Sequence, residues 1–287
     1  MEKLLKKYQK HLQKRAYRPS TVAGYILAAR QLLVELPVNY DSDDIQATLE
    51  ESDLWHELKP SSYNFKLKSL SPFFEFLRRE SIITYVPEIQ YLQKKVDRPY
   101  KKRLTKEQIG LWLDTVREIS VGHQYIAALL MAGAGMRISE VRDFEIPADI
   151  EVSDTGQVFV IIPRGKSRIP RRVPVFDKPL ATALKNLKSR YRGDIPQRLG
   201  IYRSSFSYAT DKTEEVHGIR VTPHDLRIFY ATQLYLQKID LVTIQRLLGH
   251  RSIDTTLLYI AQVMEEEEYK KAAESVELLP KPTKSMN

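Results

Sequence analysis

Apolar residues recur at helical spacing through the first 93 residues. Leu4, Leu5, Tyr8 and Leu12 share one face of a first helix, because positions three and four apart lie together on a helix surface. A second stripe begins at Ser20, "DSDDIQATLEES" predicts a third, capped helix, and "PSSYNFKLKSLSPFFEFLRRESI" predicts a fourth. The inward positions of the second and fourth helices are Val22, Tyr25, Ile26, Ala29, Leu32, Leu33, Leu67, Leu70, Phe73, Phe74 and Leu77. The pattern predicts a four-helix bundle over residues 1–93.

A basic stretch, "KKVDRPYKKR", follows at 94–103. It carries six basic side chains, one acid, and a proline at which a helix does not easily continue. We interpret 94–103 as an interdomain linker that also contacts phosphate. A solvated run of charge without a ligand is the alternative.

A second domain is predicted over 104–287, and its periodicity changes along the chain. Helices begin at a cap on Thr105 and continue through "HQYIAALLMAGAG". "QVFVIIPRGKSRIPRRVPVF" holds two β-branched runs around a basic turn at 163–167, which predicts a hairpin. Helical spacing resumes at Lys178 and reaches a C-terminal helix and tail, whereas 193–221 has no clear helical pattern. The predicted fold class is mainly α with a small β-hairpin or sheet (α+β).

Polar side chains gather where the predicted helices of this second domain begin. The stretch "TPHDLR" at 222–227 fits a helix start, with threonine as cap, proline in the first helical position and aspartate in the third. His224 therefore lies in a first turn. Arg227, three residues later, leaves the same face of the helix.

The stretch "LLGHRSIDTTLLY" at 247–259 contains a second pair of helix boundaries. Asp240 is placed to cap the helix that Gly249 ends, because glycine tolerates the left-handed conformation of a C-cap. His250 then lies just beyond a helix end, and Tyr259 follows nine residues later. Polar groups at element ends serve function more often than packing.

Two further turns carry a basic residue. "GAGMRISE" interrupts an apolar helix and places Arg137 at a helix junction, and Lys166 lies at the predicted hairpin tip. Taken singly, each has an ordinary interpretation: Arg137 pairs with Glu140 at helical spacing, and Lys166 is a solvated turn lysine. Tyr259 likewise has an ordinary interpretation, because a tyrosine on an amphipathic helix usually packs in the hydrophobic core or at its edge. Only the joint occurrence of these residues favours a site.

The amino-acid composition limits the class of binding partner. Lys and Arg number 45 against 36 acids, and the net charge of +9 with a pI near 9.4 favours a polyanion, nucleic acid before membrane. The absence of cysteine excludes disulfides, thiolate zinc sites and a cysteine nucleophile, so the cytoplasm is the expected location. No signal peptide and no run of about 18 apolar residues is found, so no membrane association is predicted.

Several kinds of site are not supported. Of the six histidines, no two have the spacing of a helical zinc pair, and carboxylates do not cluster with them, so no metal is predicted. The chain has no Gly-x-Ser-x-Gly elbow, which argues against a serine hydrolase. It has no Walker loop and no glycine-rich dinucleotide loop, so no cofactor is predicted.

The segments "GAGMRISE", "PRGKSRIPRRVPV", "HDLRIFYAT" and "LLGHRSIDTTLLY", with the helical N-terminal unit, resemble the tyrosine recombinase family. That family includes phage integrases, Xer-type recombinases and transposon resolvases of the tyrosine type. The resemblance covers nearly the whole chain and is most specific in the C-terminal motifs. It implies a four-helix core-binding domain that holds DNA, followed by a tyrosine-recombinase catalytic domain.

The resemblance also implies a set of catalytic residues. The positions that match the family's motifs are Arg137, Lys166, His224, Arg227, His250 and Tyr259, with Glu140 matching an acid that supports the first arginine. The chain departs from the family at Ile228, where a second histidine is common.

The implied reaction is site-specific strand cleavage and rejoining through a 3′-phosphotyrosine bond and a Holliday junction. Tyr259 would attack the phosphodiester, Arg137 and Arg227 would hold the non-bridging oxygens with paired hydrogen bonds, and His250 would add a donor. His224 is the candidate base and Lys166, at the hairpin tip, the candidate acid for the leaving 5′-oxygen. Neither ATP nor metal is required.

The implied partner is double-stranded DNA with paired half-sites, bound by a homotetramer, and an accessory DNA-binding protein is a further candidate. Charge and spacing suggest DNA contacts at Tyr63, Asn64, Lys66, Lys68, Lys94, Lys95, Arg98, Lys101, Lys102 and Arg103. For residues 63–68, an ordinary surface helix without a ligand is the alternative. A type IB topoisomerase-like relaxase would share this chemistry, and a non-catalytic DNA-binding protein would share the charge. Both stay open from the sequence.

Overall fold

The chain divides into two compact units, Met1–Pro99 and Tyr100–Asn287. The structure, a computed structural model, describes residues 1–51, 55, 57–96, 103–163, 170–191 and 196–275. The division falls inside the stretch 94–103. DNA binding by the first domain and catalysis by the second stay predictions.

The first unit is a bundle of helices built on one aromatic core. Its helices are α1 (Glu2–Lys14), α2 (Pro19–Glu35), α3 (Ser42–Glu51) and α4 (Pro60–Arg79). The ring of Tyr8 on α1 lies 4.9 Å from Phe73 and 5.2 Å from Phe76 on α4, centroid to centroid. Most predicted inward positions are buried, and Leu4, Tyr25 and Ile26 are partly buried around them. Packing of these rings therefore holds the bundle together.

The second unit combines helices with short strands. Its elements are α5 (Lys106–Ile119), α6 (Gln124–Ala134), α7 (Ile138–Arg142), β1 (Glu145–Ile146), β2 (Ile150–Val152), β3 (Val158–Ile162), β4 (Arg171–Pro174), α8 (Lys178–Arg190), β5 (Gln197–Arg198), α9 (Ser207–His217), α10 (Pro223–Leu236), α11 (Leu241–Leu248) and α12 (Ile253–Ser275). The predicted α+β class is confirmed. Among the described residues, no helix combines the length and apolarity needed to cross a bilayer.

Strands β2, β3 and β4 form an antiparallel sheet in that order. Val160 pairs with Ile150 on one side and with Val173 on the other, and β3 and β4 are antiparallel neighbours, as the predicted hairpin requires. Its tip, residues 164–169 with Lys166, lies outside the described residues. β1 and β5 pair separately as a two-residue ladder, which is too short for period-two alternation to reveal in the sequence.

The expectation that 193–221 lacks a helix is wrong. Helix α9 occupies Ser207–His217 and ends at Gly218 in the left-handed conformation. Its buried face is made of Ala209, Thr210 and Thr213. Alanine and threonine give a weak apolar signal, and the Thr213 hydroxyl is satisfied internally by donating to the Ala209 carbonyl at 2.8 Å.

The turn after α6 lies directly against α10 and α11. Gly135 ends α6 with φ +62°, and a methyl group there would lie 2.3 Å from the ring of Tyr230 and 3.1 Å from Leu248. We expect Gly135→Ala to lower the free energy of unfolding by about 3 kcal/mol, from backbone strain plus overpacking. Gly218→Ala is the control, since Gly218 has φ +64° with open space around it. Equal losses in urea unfolding of both variants would contradict the packing argument.

Candidate active site

Five of the six residues matched to the recombinase motifs line one cavity of about 480 Å³. These residues are Arg137, His224, Arg227, His250 and Tyr259, and the remaining wall is Ile138, Ser139, Pro223 and Thr255. The sixth, Lys166, lies outside the described residues. Residues separated by more than 120 positions in sequence therefore meet at one cavity.

Helix boundaries position three of these side chains, those of Arg137, His224 and His250. Arg137 is the N-cap of α7, directly after the Gly135 turn. His224 lies in the first turn of α10, where the Thr222 N–H donates to the Asp225 carboxylate at 2.9 Å. Gly249 ends α11 with φ +64° and is followed by His250. Loop residues between rigid helices can thus be held against one ligand.

Arg227 is the most deeply placed cation of the cavity, 1% exposed. Its Nη1 donates to the carbonyl of Gly135 and its Nη2 to the carbonyl of Leu248, while its Nε has no partner among the described residues. Burial, and then the nearby charge of Arg137, lower the pKa of Arg227 to about 10, against the raising effect of Glu140. The guanidinium is therefore charged at neutral pH and joins the two turns that precede Arg137 and His250.

Glu140 is a buried carboxylate shared between arginines. Its Oε1 accepts from Arg137 Nη1 at 2.9 Å, and its Oε2 accepts from the Arg137 N–H at 2.8 Å. Arg171 donates to both oxygens, at 3.0 and 2.7 Å, and Arg227 Nη1 lies 4.0 Å away. Burial by itself raises the pKa of Glu140, but the hydrogen bonds and charge of Arg171 and Arg137 outweigh it, so the net pKa is lowered. Glu140 is ionised and fixes Arg137.

His250 is 5% exposed, with Nδ1 2.9 Å from the Thr256 hydroxyl and Nε2 buried without a partner among the described residues. Burial, followed by the charges of Arg227 and Arg137, lowers the pKa of His250 to about 3. The imidazole is therefore neutral at pH 7. If the Thr256 hydroxyl donates to Nδ1, Nε2 carries the proton and can donate to a phosphate oxygen.

The low pKa of His250 makes folding stability depend on pH. The unfolded chain binds this proton near pH 6.5 and the folded chain only near pH 3, so stability is present above pH 6.5 and is lost as pH falls between these values. We expect the His250 imidazole alone to lower the free energy of unfolding by about 2 kcal/mol as the pH falls from 7 to 5. Urea unfolding at both values should show a smaller pH difference for His250→Gln than for the wild type. An equal difference would contradict the assignment.

Thr256 sets the tautomer of His250 in this arrangement, and it is fully buried. We expect Thr256→Val to raise the Nδ1–H tautomer population and to slow strand cleavage on the order of tenfold, the effect of one misdirected donor. Long-range ¹H–¹⁵N spectra of the imidazole report the tautomer directly. Thr256→Ser, which keeps the hydroxyl, is the control. An unchanged tautomer and rate in Thr256→Val would rule out this role.

Tyr259 lies between the two histidines. Its half-buried ring is 5.3 Å from the His224 ring and 5.0 Å from the His250 ring, centroid to centroid, and is nearly perpendicular to each. Ile260 and Val263, both buried, anchor α12 beside Tyr259. The phenol oxygen is thus held at the cavity with a candidate base and a candidate donor as ring neighbours.

Sequence reasoning missed two residues next to this cavity, Arg171 and Thr256. Arg171 lies two positions before fully buried Val173 on β4, so period-two alternation places it on the inward face. An arginine on a buried strand face is a signal that was present in the sequence. Thr256 carried no such signal, because only the folded turn at the start of α12 shows that its hydroxyl contacts His250.

The predicted DNA contacts of the first unit need one correction. Tyr63 is 3% exposed and packs in the bundle core, so it presents no surface to DNA. Asn64 binds both backbone groups of Lys94, at 2.7 and 2.9 Å, and so anchors the chain after α4. The Lys66 ammonium donates to Gln31 and lies 5.6 Å from the ring centre of Trp55.

The other proposed contacts stay predictions. Lys68 and Lys95 are exposed, and the Lys94 ammonium lies 4.4 Å from the ring centre of Tyr63. Arg103 is paired with Glu266 on α12 at 3.6 Å. Arg98, Lys101 and Lys102 lie outside the described residues.

Comparison with known proteins gives a consistent set of similarities. The sequence profile of the phage integrase family matches residues 102–266. A tyrosine recombinase of Pseudothermotoga lettingae is 28% identical over 284 residues, which is 93% of this chain and 96% of that protein. Tyrosine recombinase XerA of Pyrococcus furiosus is 29% identical over 207 residues, 69% of this chain and 68% of that protein. XerC of Vibrio vulnificus is 28% identical over 70% of this chain and 66% of that protein.

Two solved structures share the fold. A lambda integrase (75-356) dimer bound to a COC′ core site superposes with a TM-score of 0.68 at 19% identity, covering 99% of both chains. The XerH site-specific recombinase bound to palindromic difH substrate superposes with a TM-score of 0.65 at 18% identity, covering 90% of this chain and 80% of that one.

Proposed function

The chain belongs to the phage integrase family and is a tyrosine recombinase, an enzyme of site-specific DNA recombination, and we propose that it cleaves DNA through a covalent bond to Tyr259. The observation that carries this proposal is the position of the Tyr259 ring, between His224 and His250 at a cavity lined by Arg137 and Arg227. A nucleophile, a base and two bidentate donors are the groups that phosphodiester transfer requires.

In the proposed reaction the Tyr259 oxygen attacks the scissile phosphorus. The bond from phosphorus to the 5′-oxygen breaks, a 3′-phosphotyrosine bond forms, and the tyrosine proton passes to His224. The leaving 5′-oxygen takes a proton from Lys166 and departs as a hydroxyl. A 5′-hydroxyl of another strand then attacks the phosphotyrosine bond and reverses these steps, which conserves the bond energy without ATP.

The positive charges around the cavity stabilise the five-coordinate phosphorus of the transition state. Arg227 and Arg137 present guanidinium groups to two non-bridging oxygens that gain charge as the attacking and leaving oxygens align. His250, neutral at pH 7, would add a hydrogen bond but no charge. We propose that Tyr259 acts within its own chain, supported by its ring contacts with His224 and His250 of the same chain.

We further propose a homotetramer on two paired half-sites, in which strands exchange in pairs through a Holliday junction. The lambda integrase structure is a dimer on a core site, and the XerH structure contains a palindromic substrate. Both fit a protein that binds repeated half-sites with one copy on each. The basic stretch 94–103 and the net charge of +9 support contact with DNA. An accessory DNA-binding protein and a cytoplasmic location are part of the same proposal.

The decisive experiment is covalent trapping without metal or nucleotide. The protein is incubated in EDTA with nicked DNA made from its genomic neighbourhood, and adducts are recovered from a denaturing gel and sequenced. We expect one recurrent site, a 3′ end blocked by protein, and a 5′-hydroxyl that polynucleotide kinase can label.

A second readout separates recombination from relaxation. A plasmid with two copies of the recovered site should give deletion or inversion products, depending on the orientation of the sites. Relaxation of any supercoiled plasmid without a preferred site would instead favour a relaxase. Salt-sensitive DNA binding without any adduct would favour a binding protein, and protein attached to the 5′ end would refute the proposed polarity.

A further inference from the structure

Arg171 occupies an unusual position for an arginine on a strand. Its side chain is 5% exposed, on the inward face of β4. Nη1 and Nη2 bind the two oxygens of Glu140 at 3.0 and 2.7 Å, and Nε donates to the Leu247 carbonyl at 2.8 Å. The planar fork of the guanidinium fills both roles together, which the single ammonium of lysine cannot do.

Through its hydrogen bonds to Glu140, Arg171 is connected to Arg137. Glu140 receives a hydrogen bond from Arg137 Nη1 and another from the Arg137 N–H. Because Arg171 takes up both oxygens of Glu140, the carboxylate stays fixed and its charge is balanced within the wall. Without Arg171, the negative charge of Glu140 would be shared by Arg137 and Arg227 alone, and it would compete with the phosphate for both.

Through its hydrogen bond to the Leu247 carbonyl, Arg171 also contacts the turn that precedes His250. The Leu247 carbonyl belongs to the last turn of α11, and Gly249 ends that helix. A methyl group on Gly249 would lie 2.9 Å from Arg171 Nη1 and 3.3 Å from its Cζ, so the turn closes directly against the guanidinium. His250 is the next residue. Arg171 itself lines a neighbouring cavity with Gly249 and His250 rather than the one that holds Tyr259.

We propose that Arg171 is a positioning residue that aligns Arg137, through Glu140, and His250, through the Gly249 turn, on the same phosphate group. This inference rests on the proposed function. Arg171 acts through residues that face the cavity and does not itself touch the reacting atoms. Its loss therefore weakens stabilisation of phosphate charge more than DNA binding.

The test compares Arg171→Lys with the neighbouring variant Arg172→Lys on two DNA substrates. Arg172 is about half exposed, binds Glu151, and lies over the ring of Phe159. Arg172→Lys therefore makes the same guanidinium-to-ammonium exchange outside the cavity wall. One substrate carries the normal scissile phosphate. The other carries a methylphosphonate, in which a methyl group replaces one non-bridging oxygen and removes the negative charge that arginine neutralises.

We expect Arg171→Lys to lower the single-turnover cleavage rate at saturating protein on the order of 100-fold on phosphate and on the order of threefold on methylphosphonate. DNA affinity should stay within twofold, and Arg172→Lys should match the wild type on both substrates. A merely structural defect would slow both substrates equally, and that result would overturn the inference. So would an unchanged rate on phosphate.

A second variant covers the case in which Arg171→Lys does not fold. Gly249→Ala keeps the arginine but pushes a methyl group against its guanidinium, and Gly218→Ala reproduces only the backbone strain at a similar φ. We expect the phosphate-selective deficit in Gly249→Ala and not in Gly218→Ala. Its absence from Gly249→Ala overturns the inference.

The wild-type result keeps the two proposals apart. No adduct from the wild type defeats the proposed function, whatever Arg171 does. An adduct formed equally by wild type and Arg171→Lys defeats only the positioning role.

Discussion

Tyr259→Phe is expected to abolish covalent capture of DNA, leaving no detectable adduct, because the phenol oxygen is the atom that would bond to phosphorus. Phenylalanine keeps the ring, and with it the perpendicular contacts to His224 and His250 at 5.3 and 5.0 Å. Folding and DNA affinity should therefore stay within about 0.5 kcal/mol of the wild type. The measurement is a denaturing gel with nicked DNA, beside a mobility-shift titration of the same DNA.

Tyr269→Phe is the matched control for this variant. Tyr269 lies ten residues later on α12, is 65% exposed, and bonds to Glu265 at 2.7 Å. It carries the same chemistry away from the cavity, so its loss should leave adduct formation unchanged. An adduct formed by Tyr259→Phe, or lost in Tyr269→Phe, would reassign the nucleophile. Loss of DNA binding in Tyr259→Phe would make the missing adduct uninformative about chemistry, and the parallel titration detects that.

The motifs at helix ends could be predicted from the sequence because local chemistry determines them. Thr222 and Asp225 start α10, Asp240 starts α11, and Gly249 ends it, each by bonds within a few residues. Family resemblance then supplied the expectation that these separate ends meet. The hairpin of β3 and β4 was predictable for the same local reason, since two β-branched runs flank a turn sequence.

Partners that lie far apart in sequence could not be predicted in this way. Arg171 and Glu140 are 31 positions apart, and their pairing depends on how β4 packs beside α7 and α11. Tyr63 shows the opposite error, because a tyrosine next to lysines resembles a DNA-binding surface until packing places it in the core. Helix α9 was missed because its buried face is built from alanine and threonine.

Arg227→Lys is expected to reduce the single-turnover cleavage rate by about 10³-fold and to destabilise the fold by about 3 kcal/mol. The first effect follows because lysine cannot give a transferring phosphate two in-plane hydrogen bonds. The second follows because one ammonium cannot span the carbonyls of Gly135 and Leu248, which Arg227 now joins. Urea unfolding measures the stability loss, and cleavage is measured at a temperature where the variant is folded. Arg117→Lys, on an exposed face of α5, controls for the exchange itself.

Comparison with Arg137→Lys separates the two effects, because both arginines have the same chemical role in the proposed reaction but differ in burial. The Arg137 side chain is 22% exposed and is held mainly by Glu140, whereas the Arg227 side chain is 2% exposed and links two turns. Arg137→Lys should therefore slow cleavage by about 10²-fold to 10³-fold with a stability loss of about 1 kcal/mol or less. Equal stability losses in the two variants would contradict a linking role for Arg227. A normal cleavage rate in either variant would remove that arginine from the phosphate site.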